Sequence, residues 1–161
     1  MNVSREQIST ALFQLLTNNP QLAQLCNTIT RVPKIWTEVP TAQIPWLCLF
    51  KGGPATEEFS QSALGLTKYI IHYNLWLYLR ADLASEQQDN TTAETTINYV
   101  ADAIDVVLQS TINGQILQRG QAQTLGGLVT KVSLEGGSEW GREIDDENIV
   151  VAWRIAVETG V

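Results

Sequence analysis

Two segments of the chain alternate so strictly that each predicts a long β-strand with one buried face. Every odd position is apolar or aromatic between residues 69 and 79, and again between residues 149 and 157. These positions are Tyr69, Ile71, Tyr73, Leu75, Leu77 and Leu79, followed by Ile149, Val151, Trp153, Ile155 and Val157. Because strand side chains point to alternate faces, these residues are predicted to form the core of a sheet.

The even positions of the first strand predict a different kind of surface. They combine charged side chains with large aromatic ones: Lys68, Ile70, His72, Asn74, Trp76, Tyr78 and Arg80. Aromatic side chains with a polar edge are enriched where a partner excludes water. We therefore interpret the even face as a subunit interface made by Lys68, Ile70, His72, Trp76, Tyr78 and Arg80. The alternative is that a helix covers this face and that Trp76 and Tyr78 belong to the core.

Helices are predicted at two places in the sequence. Ser4 and Gln7 have the spacing of a capping box, and an amphipathic helix follows that ends before Pro20. Thr91 and Glu94 repeat this spacing ahead of a stretch with apolar residues at the helical period. A further short helical turn is expected over residues 21–26.

Two more strands complete the predicted fold. Residues 46–51 are almost wholly apolar, and residues 128–135 alternate, followed by a polar loop over residues 136–148. The order of elements predicts a single α+β domain spanning residues 1–161. Its sheet is expected to be mostly antiparallel with four to five strands, with two main helices packed on one face and a long hairpin arm.

The predicted arm is the segment of residues 52–66, which separates two strands. Its fifteen residues exceed the 2 to 5 that a hairpin loop usually has, and long loops of this kind are often functional. Residues 52–62 of the segment contain one large apolar residue, Phe59, beside Glu57 and Glu58. We expect these three residues to contact a neighbouring subunit.

The charge balance argues against nucleic-acid binding. Ten basic and 17 acidic residues give a formal net charge of −7, which repels phosphate. No apolar run approaches the roughly 20 residues of a membrane helix, and the N-terminus lacks the layout of a signal peptide. We expect a soluble intracellular protein that binds no membrane.

Candidate catalytic and metal sites are weak. Cys26 and Cys48 are far apart in sequence and are expected to be apolar fillers, and His72 is the only histidine. Asp102 and Asp105 are expected on the polar side of the second helix. An acidic run lacks the ligand spacing of a calcium loop and is predicted to bind no metal: Glu143, Asp145, Asp146 and Glu147. We predict no cofactor and no enzymatic activity; a small α+β hydrolase or nucleotide-handling enzyme is the alternative.

Several motifs follow one another along nearly the whole chain. After the first helix come Ile44-Pro45-Trp46-Leu47, Trp76 in the long strand, Ile97-Asn98-Tyr99-Val100-Ala101-Asp102-Ala103-Ile104, and Gln123-Thr124-Leu125-Gly126-Gly127-Leu128-Val129. This layout resembles the tail terminator (tail completion, neck) proteins of tailed bacteriophages. The resemblance depends on element order and on the Leu-Gly-Gly turn, not on a catalytic signature.

The resemblance implies a structural role in the virion. Subunits of this family form a hexameric ring that caps the tail tube, ends its polymerisation and joins it to the head connector or neck proteins. The implied partners are other copies of the chain, the tail tube protein, the connector and, in a contractile tail, the sheath protein, while DNA passes through without specific binding. The ring would lie at the tail–neck junction and assemble in the host cytoplasm. The acidic run at residues 143–147 would face the tube or the connector. A different neck or head-completion adaptor is the alternative within the same class.

Overall fold

A computed structural model describes residues 3–35, 38–51, 57–61, 65, 67–80, 91–111, 113–142 and 148–160. Within these ranges, three α-helices and six strands form an α+β fold, which confirms the predicted class. In chain order the elements are α1 (Arg5–Thr17), α2 (Pro20–Leu25), β1 (Thr28–Thr30), a 3₁₀ turn (Thr41–Gln43), β2 (Trp46–Phe50), β3 (Glu57–Gln61), β4 (Thr67–Arg80), α3 (Thr91–Leu108), β5 (Lys131–Arg142) and β6 (Asn148–Gly160).

The sheet is mixed and has the strand order β1-β2-β4-β6-β5. β3 pairs with the beginning of β4, while β2 pairs with a later part of β4. The predicted number of strands, four to five, is too small, and one pairing is parallel because β1 runs alongside β2 with Thr28 opposite Trp46. β1 has only three residues, too few for an alternating pattern to show in the sequence.

The predicted capping box opens α1. The backbone N–H of Gln7 donates to Ser4 Oγ at 3.1 Å, and the backbone N–H of Ser4 donates to Gln7 Oε1 at 2.8 Å. Asn19 then caps α2 by accepting from the backbone N–H of Leu22 at 2.9 Å, with Pro20 at the first helical position. In each helix a side chain therefore accepts from one of the N–H groups that lack a partner within the helix.

The core lies between the helices and one face of the sheet, as the alternation predicts. From Ile71 to Leu79 the odd residues of β4 are buried, together with those of β6 from Ile149 to Val157, whereas Tyr69 is only half-buried. A buried hydrogen bond of 2.8 Å joins the hydroxyls of Ser9 and Tyr73 and so ties α1 to β4.

β5 is longer than the sequence suggests. It continues through residues 136–142, where a polar loop was expected, and its pairing with β6 shifts register between Glu135 and Glu139. Gly136 and Gly137 lie inside this shift, and glycine within a strand often marks such a bulge. The acidic residues at 143–147 lie outside the described residues.

The segment expected to be a projecting arm contributes an edge strand. β3 pairs with β4 from Glu57 opposite Ile71 to Gln61 opposite Thr67. Residues 57–61 therefore form the hairpin that the predicted arm implies, but they do not project from the sheet, because the part of β4 with which they pair also pairs with β6. Residues 52–56, 62–64 and 66 lie outside the described residues.

Candidate assembly interface

The sheet face opposite the three helices carries the even positions of β4, and we call it the open face. At one end it is covered by the chain's own residues 34, 35 and 38–44, which we call the strap. The Tyr78 hydroxyl donates to the Lys34 carbonyl at 2.7 Å, and Val39 packs with Trp46 and Tyr78 in a second small core. Tyr78 is only 3% exposed, which leaves it little surface to offer to a partner.

Trp76 lies at the border between this second core and the open face. Its ring meets the ring of Phe50 edge to face, with the centroids 4.9 Å apart and the planes at 89°. Both side chains are only half-buried. Of the two large aromatic residues on the even face of β4, Trp76 and Tyr78, Trp76 is therefore the one with surface left for a partner.

His72 is buried in the open face, between two glutamates. Its Nδ1 lies 2.9 Å from Glu135 Oε2 on β5, and its Nε2 lies 3.0 Å from Glu58 Oε1 on β3. Carboxylate oxygens only accept, so both contacts are hydrogen bonds at once only when the ring is doubly protonated. Arg154 Nε lies 3.5 Å from the same Glu135 oxygen. The arrangement joins three strands and leaves neither ring nitrogen for a substrate.

Replacing His72 with glutamine should lower the free energy of unfolding by about 1–3 kcal/mol, because an amide cannot bond both carboxylates across the strands. Denaturant unfolding followed by circular dichroism measures the change. Lys68→Gln is the matched control on the same strand and face, since Lys68 Nζ meets Glu158 Oε2 at 2.8 Å in an exposed ion pair, and such pairs contribute about 0–1 kcal/mol. Equal losses in the two variants would contradict a special role for His72.

The remaining residues predicted for the interface lie around these features. Lys68 and Arg80 are exposed at the two ends of β4, and Ile70 is half-buried beside His72. Asp102 and Asp105 are exposed on α3, as expected for its polar side.

Residue Glu57 of β3 is held by two cations. Its Oε1 lies 2.7 Å from Arg5 Nε and 2.6 Å from Lys51 Nζ. The hydrogen bond from Arg5, followed by that from Lys51, lowers the pKa of the Glu57 carboxyl to about 2. The contact fastens the edge strand to the start of α1.

This lowered pKa predicts a pH dependence of stability. A carboxyl whose pKa is lower in the folded state stabilises the protein above its unfolded pKa of about 4.5, and this contribution disappears as the pH falls toward 2. Wild type should therefore be more stable than Glu57→Gln at neutral pH, by about 1 kcal/mol for a contact near the surface. Thermal unfolding between pH 7 and pH 2 should show the two curves converging below pH 4.5. A difference that persists at pH 2 would contradict the ion-pair explanation.

Neither cysteine has the environment of a reactive thiol. Cys26 and Cys48 are free and buried, and burial raises the pKa of both thiols to about 12. Across the described ranges, no three His, Cys, Asp or Glu side chains come together as they would around a metal ion. The expectation that residues 143–147 bind no metal stays a prediction. Among the described helices, none is long and apolar enough to cross a membrane.

Two features had no signal in the sequence. The first is the strap, over which the sequence predicts neither a helix nor a strand. The second is a cleft of about 690 Å³ on the helical side, between α1 and the end of α3. Both form from residues distant in sequence, so neither has a local pattern.

The whole fold is similar to that of a solved chain from the virion of a native gene transfer agent (GTA) particle. The TM-score is 0.55 at 15% sequence identity, and the match covers 96% of this chain and 95% of that chain. No protein-family model and no curated protein matches the sequence. At this identity the likeness shows a shared fold.

Proposed function

We propose that this protein is a structural component of a tailed-phage-like virion. Its proposed role is that of a tail terminator: copies form a hexameric ring that caps the tail tube, ends tube polymerisation and joins the tail to the head connector. The observation that carries this proposal is the fold shared over almost the full length of both chains with a component of a GTA virion. The motifs that resemble tail terminators support the more specific role.

The surface of the chain is compatible with assembly. A ring formed by head-to-tail association needs two different patches on each subunit, one of which fits the other on the next copy. We propose that the open face around Trp76 and the exposed end of β3 both take part in the contacts between copies. The buried parts of His72 and Tyr78 then support this surface from beneath.

The net charge fits a role beside passing DNA. A formal net charge of −7 repels phosphate, so DNA would pass the protein without being bound. The proposed partners are the tail tube protein, the connector and, in a contractile tail, the sheath protein. The proposed place of the protein is the tail–neck junction of the virion.

The mass of the assembled protein tests the proposal. Native mass spectrometry and light scattering after size exclusion should give a hexamer, and negative-stain images should show closed rings that bind one end of a purified tail tube. A twelvefold ring that binds no tube would instead favour an adaptor on the head side. A protein that stays monomeric at high concentration and leaves tube length unchanged would contradict both roles.

A further inference from the structure

An exposed aromatic side chain marks one end of the helical side of the molecule. Phe59 lies on the edge strand β3 and is 60% exposed. The centroid of its ring is 5.2 Å from the centroid of the half-buried Tyr69 ring. The guanidinium of Arg5 lies over the Tyr69 ring, 6.0 Å from its centroid. β3 carries two charged residues, Glu57 and Glu58, and charges on an edge strand usually discourage pairing with another strand. A large apolar residue held in place on such a strand is instead suited to contact with a partner.

The cleft between α1 and α3 lies at the other end of the same side. Its volume is about 690 Å³, its floor includes the buried residues Val107 and Leu125, and its wall includes Val106, which is 49% exposed. None of the described residues that line it is charged, although the chain has 10 basic and 17 acidic residues. Amide and hydroxyl side chains such as Gln14 and Ser110 line it beside the apolar ones, so the cleft can accept an aromatic ring but disfavours a charged group.

The positions of the two features prevent one copy from filling its own cleft. Arg5, which contacts both Glu57 and Tyr69, is the first residue of α1, whereas the cleft uses the second half of α1 from Ala11 to Asn18. At 1.5 Å per residue, the cleft residues Ala11 and Asn18 lie about 9 Å and about 20 Å from Arg5 along the helix axis. Because the insert and the cleft lie at opposite ends, they can meet only between copies, in the head-to-tail sense that closes a ring.

We infer that Phe59 of one copy inserts into the cleft between α1 and α3 of the next copy. This inference rests on the proposed ring and names the surface that receives β3 of the neighbouring copy. β3 supplies the insert, the Glu57 ion pairs hold β3 against α1, and Tyr69 supports the Phe59 ring from one side. The contact is directional because insert and cleft are different surfaces.

Single variants test each side of the contact. Phe59→Asp places a charge on the insert, and Val106→Glu places one at the wall of the cleft. Both side chains are largely exposed in the single chain, so both variants should fold, as circular dichroism will verify. Each is expected to run as a monomer where the wild type is a ring. Tyr99→Glu is the control, because Tyr99 is 54% exposed on the same helix without lining the cleft, and it should keep the ring.

A mixture of the two variants tests the direction of the contact. Val106→Glu retains a normal Phe59, and Phe59→Asp retains a normal cleft, so one productive contact can form between them and none can follow it. We expect an equimolar mixture to give a one-to-one dimer at the concentration where the wild type is fully assembled. Native mass spectrometry separates the two partners by their masses.

The outcomes distinguish this inference from the proposed function. Wild-type rings together with rings in either single variant would overturn the inference and leave the proposed function in place. Two monomeric variants that stay monomeric when mixed would also overturn it, as would loss of the ring in Tyr99→Glu. A monomeric wild type would overturn the proposed function and the inference together. Stabilisation of the single chain by a small apolar molecule, lost in Val106→Glu while the rings persist, would assign the cleft to a ligand instead.

Discussion

Leu75→Ala is expected to reduce the free energy of unfolding by about 2–5 kcal/mol, the range for truncating a fully buried leucine. Leu75 has no exposed surface, lies in the central part of β4 and pairs with Leu49 on one side and Trp153 on the other. Its neighbours are fixed by two flanking strands and the helices above, so the cavity cannot collapse easily. Domains are stable by only about 5–15 kcal/mol, so this loss is a large share of the total.

Denaturant unfolding measures the change, and the melting temperature should fall by about 4–20 °C for a chain of this size. Arg80→Ala is the matched control, because Arg80 is exposed at the end of the same strand and should alter stability by about 0.5 kcal/mol or less. A Leu75→Ala protein as stable as Arg80→Ala would mean that the helices do not pack on this face.

The elements that the sequence predicts correctly are those with a local cause. The alternation in β4 and β6 follows from the two-residue period of a strand with one buried face. The start of α1 follows from Ser4 and Gln7, which bond each other within one turn. Such signals need no knowledge of the rest of the fold, and the class α+β follows from their order.

The features that the sequence misses depend on contacts between distant residues. His72 alone gives no indication of its surroundings, since Glu135 is 63 residues away and Glu58 is 14 away. The place of β3 within the sheet is similarly hidden, because five residues with one large apolar side chain look like a loop. The strap explains why Tyr78 is buried although it lies at an even position of β4. Its hydroxyl donates to the carbonyl of Lys34, which is 44 residues away in the sequence.

The open face can bind a neighbouring subunit only where the chain's own residues leave it uncovered. The strap covers the end of the open face at Tyr78, and Glu58 and Glu135 cover His72 in the middle of the face. Between them, Trp76 is the large side chain that is only half-buried. The role of the face therefore depends on this residue more than on its neighbours.

Trp76→Ala is expected to weaken ring assembly far more than folding. In the single chain the variant loses the edge-to-face contact with Phe50 and part of the second core, which should cost about 1–3 kcal/mol. At an interface, a tryptophan that acts as a hot spot costs 2 kcal/mol or more, which is roughly a 30-fold loss of affinity at each contact. Every subunit of a ring has two such contacts, so the closed ring should give way to monomers and short open assemblies.

Phe50→Leu separates the two effects, because it removes the aromatic contact and leaves Trp76 on the surface. Light scattering and circular dichroism on both variants should show two folded proteins, with rings in Phe50→Leu and loss of rings in Trp76→Ala. If Trp76→Ala lost as much stability as Leu75→Ala, the tryptophan would be a core residue whose exposed part has no role. If Trp76→Ala formed complete rings, the open face would not contact a neighbouring subunit, because truncating its largest accessible side chain would have left the contact unchanged.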